Sequence, residues 1–273
     1  MAQMENYEKK ETPRYLFNDM DLIIKSIKNV KKIHLFLDYD GTLVVFQNQP
    51  NKVKTPANVH QLLQKISENS KFDIIIITGR KLNEVKSLLN IENISIAAVH
   101  GLHMQLADET QIVMDVAKKA KPSIKHIKNE LINEFHQEND ILIEDKEFTI
   151  AFHYRNVLKE KINTVQEKFI QIIDNNKNNA MEIVKGDKVF EVRPIGWNKG
   201  NAVDYFLNKQ ERNIKSLPIY IGDDATDEDA FKYLKKKGIT IYVKNDSDLI
   251  THALYWLQNP DDVIKFLQKI ELV

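Results

Sequence analysis

Three short apolar runs, Ile33–Leu37, Phe72–Ile77 and Leu217–Ile221, each stop at a cluster of polar residues. The first runs into Asp38-Tyr39-Asp40-Gly41-Thr42, the second into Thr78-Gly79-Arg80 and the third into Gly222-Asp223-Asp224. Continuous apolar runs of this length are the pattern of strands covered on both faces. Stretches with helical spacing lie among them. Residues 56–69 place Val59, Leu62, Leu63 and Ile66 on one face, and 16–30, 82–89, 198–207 and 260–270 also read as helices. Residues 94–99 and 239–243 read as further strands. This alternation argues for an α/β fold, a doubly wound and mostly parallel sheet with helices on both faces. Ligands of such sheets sit beyond the carboxyl ends of the strands. The three polar clusters are therefore expected to meet at one site.

The middle of the chain reads differently. Helical patterns at 122–138 and 158–175 are interleaved with extended runs at 141–143, 148–155, 181–184 and 188–193. Two helices on an antiparallel sheet are expected there. The expected organisation is a loose polar arm at 1–14, a core built from 15–113 and 194–273, and an inserted α/β domain at 114–193.

Composition excludes several classes. The 273 residues hold no cysteine, which removes disulfides, thiolate catalysis and cysteine–zinc sites. Lys plus Arg and Asp plus Glu are equal at 39 each, giving no support for nucleic-acid or membrane partners. The polar start of the chain lacks the apolar core of a secretory signal, and no apolar run approaches the roughly 20 residues that span a bilayer. Cytoplasmic residence is expected.

Carboxylates two apart at a strand end, followed by glycine, make a compact anionic site. Such a site holds a hard cation and offers an oxygen as nucleophile. A phosphate monoester approaching it needs compensating charge, which Mg2+ supplies. Asp38 and Asp223 are the natural carboxylate ligands, with the Asp40 main-chain carbonyl as a third. Asp224 and Asp227 take secondary metal roles. Lys199, at a helix start, is the candidate cation for the charge developing on the phosphoryl group.

The string Asp38-Tyr39-Asp40-Gly41-Thr42 resembles the DxDGT motif of the haloacid-dehalogenase-like (HAD) phosphohydrolases. That resemblance implies a Rossmann-like HAD core, Asp38 as nucleophile forming an aspartyl-phosphate, Asp40 as general acid and base, and Thr78 as a donor to a phosphoryl oxygen. The strings His153-Tyr154-Arg155, GDKVFEVRP at 186–194, WNKG at 197–200 and GDDATDEDAF at 222–231 resemble, more narrowly, the trehalose-6-phosphate phosphatases. By that resemblance 114–193 is a specificity cap. Glu144, Lys146 and Glu191 then contact sugar hydroxyls, and Arg155 and Lys188 lie near the phosphate end. Arg80 and His100 join the candidate substrate contacts, and His103 is expected to pack. Lys188 and Glu191, three apart, both point inward only with a bulge or with Lys188 in the preceding turn. The implied activity is Mg2+-dependent hydrolysis of trehalose 6-phosphate, a small-molecule substrate, with a separate synthase as its source. The alternatives are another sugar phosphate of the same superfamily (sucrose or glucosylglycerol phosphate), a non-catalytic sugar-phosphate sensor, and phosphoryl transfer to a second sugar.

Overall fold

Strand and helix alternate as the apolar runs dictate. The chain begins with β1 (Arg14–Tyr15), α1 (Met20–Lys28), β2 (Lys32–Leu37), α2 (Ala57–Glu68), β3 (Phe72–Ile77), α3 (Leu82–Leu89) and β4 (Ser95–Ala98). It continues through β5 (His103–Gln105), β6 (Gln111–Val113), α4 (Asp115–Phe135), β7 (Leu142–Asp145), β8 (Ile150–His153), α5 (Ile162–Asn176), β9 (Met181–Gly186) and β10 (Val189–Pro194). It closes with α6 (Lys199–Asn208), β11 (Ser216–Gly222), α7 (Glu228–Leu234), β12 (Ile239–Val243), β13 (Tyr255–Leu257) and α8 (Pro260–Glu271). This is a computed structural model that describes residues 12–47, 52–176, 180–186, 188–209, 214–245 and 250–273. Residues 1–11 of the expected N-terminal arm lie outside the described residues, and Arg14, its last residue, pairs as part of β1.

The contacts divide the chain into two units, one of residues 1–75, 91–93 and 203–273, the other of 76–90 and 94–202. The division falls inside β3 and inside α6. In the first unit the strand order is β1-β13-β12-β11-β2-β3. The β1–β13, β13–β12, β12–β11 and β11–β2 pairs are all parallel. From Ile33 to Leu37 every residue of β2 is buried, as is every residue of β12, which fits strands covered on both faces. Helix α2 turns Val59, Leu62, Leu63 and Ile66 inward. Asn259 caps α8 by accepting the Asp262 amide at 3.1 Å, with Pro260 at the first helical position. Register then places the chemistry. Leu37 lies opposite Ile221, and the Asp38 amide donates to the Ile221 carbonyl at 2.9 Å. Asp38 and the Gly222-Asp223 turn therefore leave two adjacent strands at the same level.

In the second unit β3 is followed in order by β4, β5 and β6, the last three antiparallel. A separate four-stranded antiparallel sheet has the order β7-β8-β10-β9. Its alternation is strict. Ile150, Phe152, Phe190 and Val192 enter a core with Ile124, Ile127 and Leu131 of α4 and Val165, Phe169 and Ile173 of α5. Phe152 and Phe169 meet there at 4.7 Å between ring centroids. The residues between them in sequence face the other way. The expected pair of helices on an antiparallel sheet is present.

Helix α4 begins at Asp115 rather than at Pro122, which lies inside it. A proline marks a helix start well because it needs no amide donor there, but a longer helix tolerates it at the cost of one internal hydrogen bond. The strands β1, β5, β6 and β13, of two or three residues each, carry no periodic signal.

Candidate active site

The first unit gathers carboxylates. Asp38, Asp223 and Asp227 are buried, and one oxygen from each lies within 4.8 Å of the others. Asp38 Oδ1 accepts the Tyr39 amide at 2.7 Å. Gly41 makes the approach possible. Its φ is 81°, and a Cβ there would fall 2.0 Å from Asp223 Oδ2, so neither the conformation nor the space admits a side chain. The Gly41 amide donates back to the Val44 carbonyl at 2.8 Å, closing the turn that presents the half-buried Asp40. The Thr42 hydroxyl donates to Asp223 Oδ1 at 3.3 Å.

Asp227 acts as the support of the second strand end. Its Oδ2 accepts the amides of Asp223 and Asp224, both at 3.0 Å, and its Oδ1 accepts the Tyr220 hydroxyl at 2.6 Å. Asp224 is exposed and accepts from the Thr226 amide and hydroxyl at 2.7 and 2.6 Å. Asn245, just beyond β12, donates to the Asp223 carbonyl at 2.7 Å. Three desolvated carboxylates this close repel one another, and a divalent cation offsets that charge. The donor set is all oxygen, which suits a hard ion such as Mg2+ rather than zinc. The residues fit such an ion.

The second unit mixes signs instead. Thr78 is buried at the end of β3, and its Oγ1 accepts the Arg80 amide at 3.2 Å. Arg80 is buried and ion-pairs with Glu84 one turn on in α3. Lys199 is buried at the first position of α6. Asn198 and Asn201 cap each other's amides around it, at 2.9 and 3.0 Å.

On the four-stranded sheet Glu144 and Glu191 both stand opposite Ala151, one on each neighbouring strand. Directly opposed residues share a face, so two carboxylates flank a small methyl floor. His153, two residues from Ala151, shares the face and lies 3.1 Å from Glu144. The pairing of Glu191 is denser: Oε2 is 3.3 Å from His100 Nε2 and 3.7 Å from Lys146 Nζ. Burial pushes the Glu191 carboxyl up, but the charges of Lys146 and His100 outweigh it and hold the group well below the usual carboxylate range. Glu144 is also lowered, its burial offset by the His153 hydrogen bond and by Lys146.

Lys188 occupies the turn before β10 with φ 54°, and it is exposed. Of the two geometries the spacing left open, the turn is the one adopted. Arg155 is half-buried just after β8. His103 packs edge-on to Phe148 at 5.9 Å, as expected of a packing residue. Sequence reasoning missed His153, Asn245 and Trp197 as supports. Only the asparagine pair at 198 and 201 carried a local signal, the spacing of a reciprocal cap.

The chain matches the family model described as trehalose-phosphatase over residues 36–260. It is 30% identical over 270 residues to trehalose-phosphate phosphatase B of Arabidopsis thaliana, covering 93% of this chain and 70% of that protein. It is 30% identical over 241 residues to the trehalose-phosphate phosphatase of Mycobacterium tuberculosis, covering 86% of this chain and 60% of that protein. The solved C-terminal domain of the C. albicans trehalose-6-phosphate phosphatase superimposes with a TM-score of 0.81 at 22% identity, over 97% of this chain and all of that domain. That likeness shows the shared fold, and the match over most of the sequence shows that the chain belongs to the trehalose-phosphatase family.

Proposed function

We propose that this chain hydrolyses trehalose 6-phosphate to trehalose and inorganic phosphate, with Mg2+ as its metal. The observation that carries the reading is the family match over residues 36–260, a span that includes Asp38, Asp40, Thr78, Lys199 and Asp223. Asp38 attacks phosphorus through a carboxylate oxygen and forms an aspartyl-phosphate while the bond from phosphorus to the sugar oxygen breaks. Asp40 gives its proton to that oxygen, then takes one from the water that hydrolyses the intermediate. The Thr78 hydroxyl and the Lys199 ammonium receive charge on the phosphoryl oxygens. A divalent cation bound by Asp38, Asp223 and the Asp40 carbonyl, with Asp224 and Asp227 secondary, supplies the charge that a phosphate dianion needs beside carboxylates.

Glu144, Lys146 and Glu191 exchange hydrogen bonds with sugar hydroxyls, each hydroxyl being both donor and acceptor. Arg155 and Lys188 serve the phosphate end, Arg80 is a further substrate contact, and His100 stands behind Glu191. On this reading 15–113 and 194–273 form the catalytic core, and 114–193 forms the cap that selects the sugar. The protein works in the cytoplasm; among the described residues no helix is long and apolar enough to cross a membrane.

A panel of sugar phosphates, assayed for released phosphate with Mg2+ and with a chelator, tests this. Preferential release from trehalose 6-phosphate, lost on chelation and restored by Mg2+, is the expected result. Preference for another sugar phosphate overturns the substrate, and no release from any overturns the hydrolase.

A further inference from the structure

Val99, His100 and Gly101 have φ of 48°, 57° and 91°. Consecutive left-handed residues, one of them β-branched, are strained and persist only where surrounding contacts fix them. Here the contacts run to functional residues, all within the second unit. The Val99 amide donates to the Arg80 carbonyl at 2.9 Å, and the His100 amide donates to the Thr78 carbonyl at 2.8 Å. Trp197 Nε1 donates to the His100 carbonyl at 3.2 Å, two residues before Lys199. Gly101 lies so close to α6 that a Cβ would fall 2.5 Å from the Cβ of Ala202. One strained turn thus holds the backbone of Thr78 and Arg80 and the start of the helix that carries Lys199.

The side chain in the middle of that turn reaches the sheet face. His100 is buried, with Nε2 3.3 Å from Glu191 Oε2. A carboxylate oxygen accepts, so in this contact the imidazole is the donor. His100 Nδ1 and Glu191 Oε1 are buried and short of partners, the Thr149 hydroxyl being the other donor beside the carboxylate. Buried polar atoms are rarely left so, which fits a pair that takes up a further hydrogen bond from a ligand.

We infer that His100 is a positioning residue, whose imidazole fixes the Glu191 carboxylate for sugar recognition while its backbone fixes Thr78 and, through Trp197, the base of α6. Sugar selection and phosphoryl placement then share one rigid turn. The inference rests on the proposed reading of Glu191 as a sugar contact.

A double-mutant cycle tests it, with the Mg2+-loaded full chain assayed on trehalose 6-phosphate and on p-nitrophenyl phosphate. Asparagine tolerates positive φ but is too short to reach Glu191, so His100→Asn removes the imidazole and keeps the turn. The expected result is a KM for the disaccharide phosphate raised about tenfold, a smaller change in kcat and a smaller loss on the aryl ester. Adding His100→Asn to Glu191→Gln costs nothing further, and His100→Gln, whose amide spans the gap, recovers part of the loss. Additive losses in the double variant, or equal losses on both substrates, overturn the inference. A second arm leaves His100 in place: the 15N resonance of its Nε2 shifts in Glu191→Gln, and an unmoved resonance overturns the pairing even if His100→Asn does not fold. Wild-type preference for another sugar phosphate overturns the proposed substrate alone, and the cycle is then read on that ester.

Discussion

Carboxylates meet two different fates in this molecule. In the first unit Asp38, Asp223 and Asp227 crowd within 4.8 Å, oriented by main-chain amides and the hydroxyls of Tyr220 and Thr42. In the second unit Glu144 and Glu191 are each set against basic side chains, His153 for one and Lys146 with His100 for the other. Crowding builds a strong local field that attracts a multivalent cation and, with it, a phosphate. Interleaving cancels the field and leaves directional hydrogen bonds, which is what neutral hydroxyls require. The same functional group is used for charge in one place and for geometry in the other.

The largest break in this contrast is Asp38→Asn. Turnover is expected to fall by at least about 10³-fold with the fold unchanged, and retention of most activity would remove Asp38 as nucleophile. Asp40→Asn is expected to be nearly as severe but to accumulate phosphorylated Asp38, detectable as a mass increase on the intact protein. Gly41→Ala comes next. A methyl 2.0 Å from Asp223 Oδ2, at φ 81°, forces the acidic cluster apart, so metal affinity measured by calorimetry should drop by at least about tenfold.

Glu191→Ala sharpens the other side. Loss of a hydrogen bond to a charged group corresponds to roughly 10- to 100-fold in kcat/KM for the disaccharide phosphate, with a much smaller loss on p-nitrophenyl phosphate. Equal losses on the two substrates would deny Glu191 a sugar contact.

The smallest expected effect concerns a pair that serves neither task. Asp73 of β3 takes an ion pair from Lys32 at 2.7 Å and lies 3.1 Å from Nδ1 of the buried His34. Burial raises the carboxyl, but the His34 and Lys32 hydrogen bonds prevail and hold it below its ordinary 3.8. A depressed carboxylate contributes stability above its unfolded pKa, and that contribution is lost as pH falls through the folded value. Asp73→Asn should therefore lower Tm slightly at neutral pH and leave it unchanged at the acid end, below both values. An equal shift at both ends would mean that packing, not charge, is at work.

Much of this was legible before any coordinates. Leu82–Leu89 and Ile239–Val243 are read to the residue, the first because its buried Leu82, Val85 and Leu89 keep helical spacing from end to end, the second because its apolar run lies between Gly238 and Lys244. Asp38 and Asp223 of the acidic cluster were legible because each directly follows a buried strand, and strand ends in a parallel sheet share a level, whereas Asp227 stands just before α7. The supports were not. Asn245 reaches the Asp223 carbonyl across 22 residues, and Trp197 reaches His100 across 97, distances at which single-sequence patterns say nothing. Glu144 and Glu191 share a face through the β7–β8 and β8–β10 registers, and register is set by pairing partners rather than by either strand alone. Pro122 misled for a plainer reason: a start signal is also a tolerated interior residue when the helix is long.

The two-residue strand β1 has a consequence for how the protein behaves in concentrated solution. Among the described residues it is the outermost strand beyond β13, and an outermost strand exposes amides and carbonyls to any other chain that arrives. Two residues offer too short a template for a stranger to extend. Arg14 adds a charge there, held by Asp19 and lying over the Tyr255 ring at 5.0 Å. The rim of the sheet is thereby blunted against intermolecular ladder growth, and deleting residues 12–15 should show itself as time-dependent aggregation before any loss of turnover.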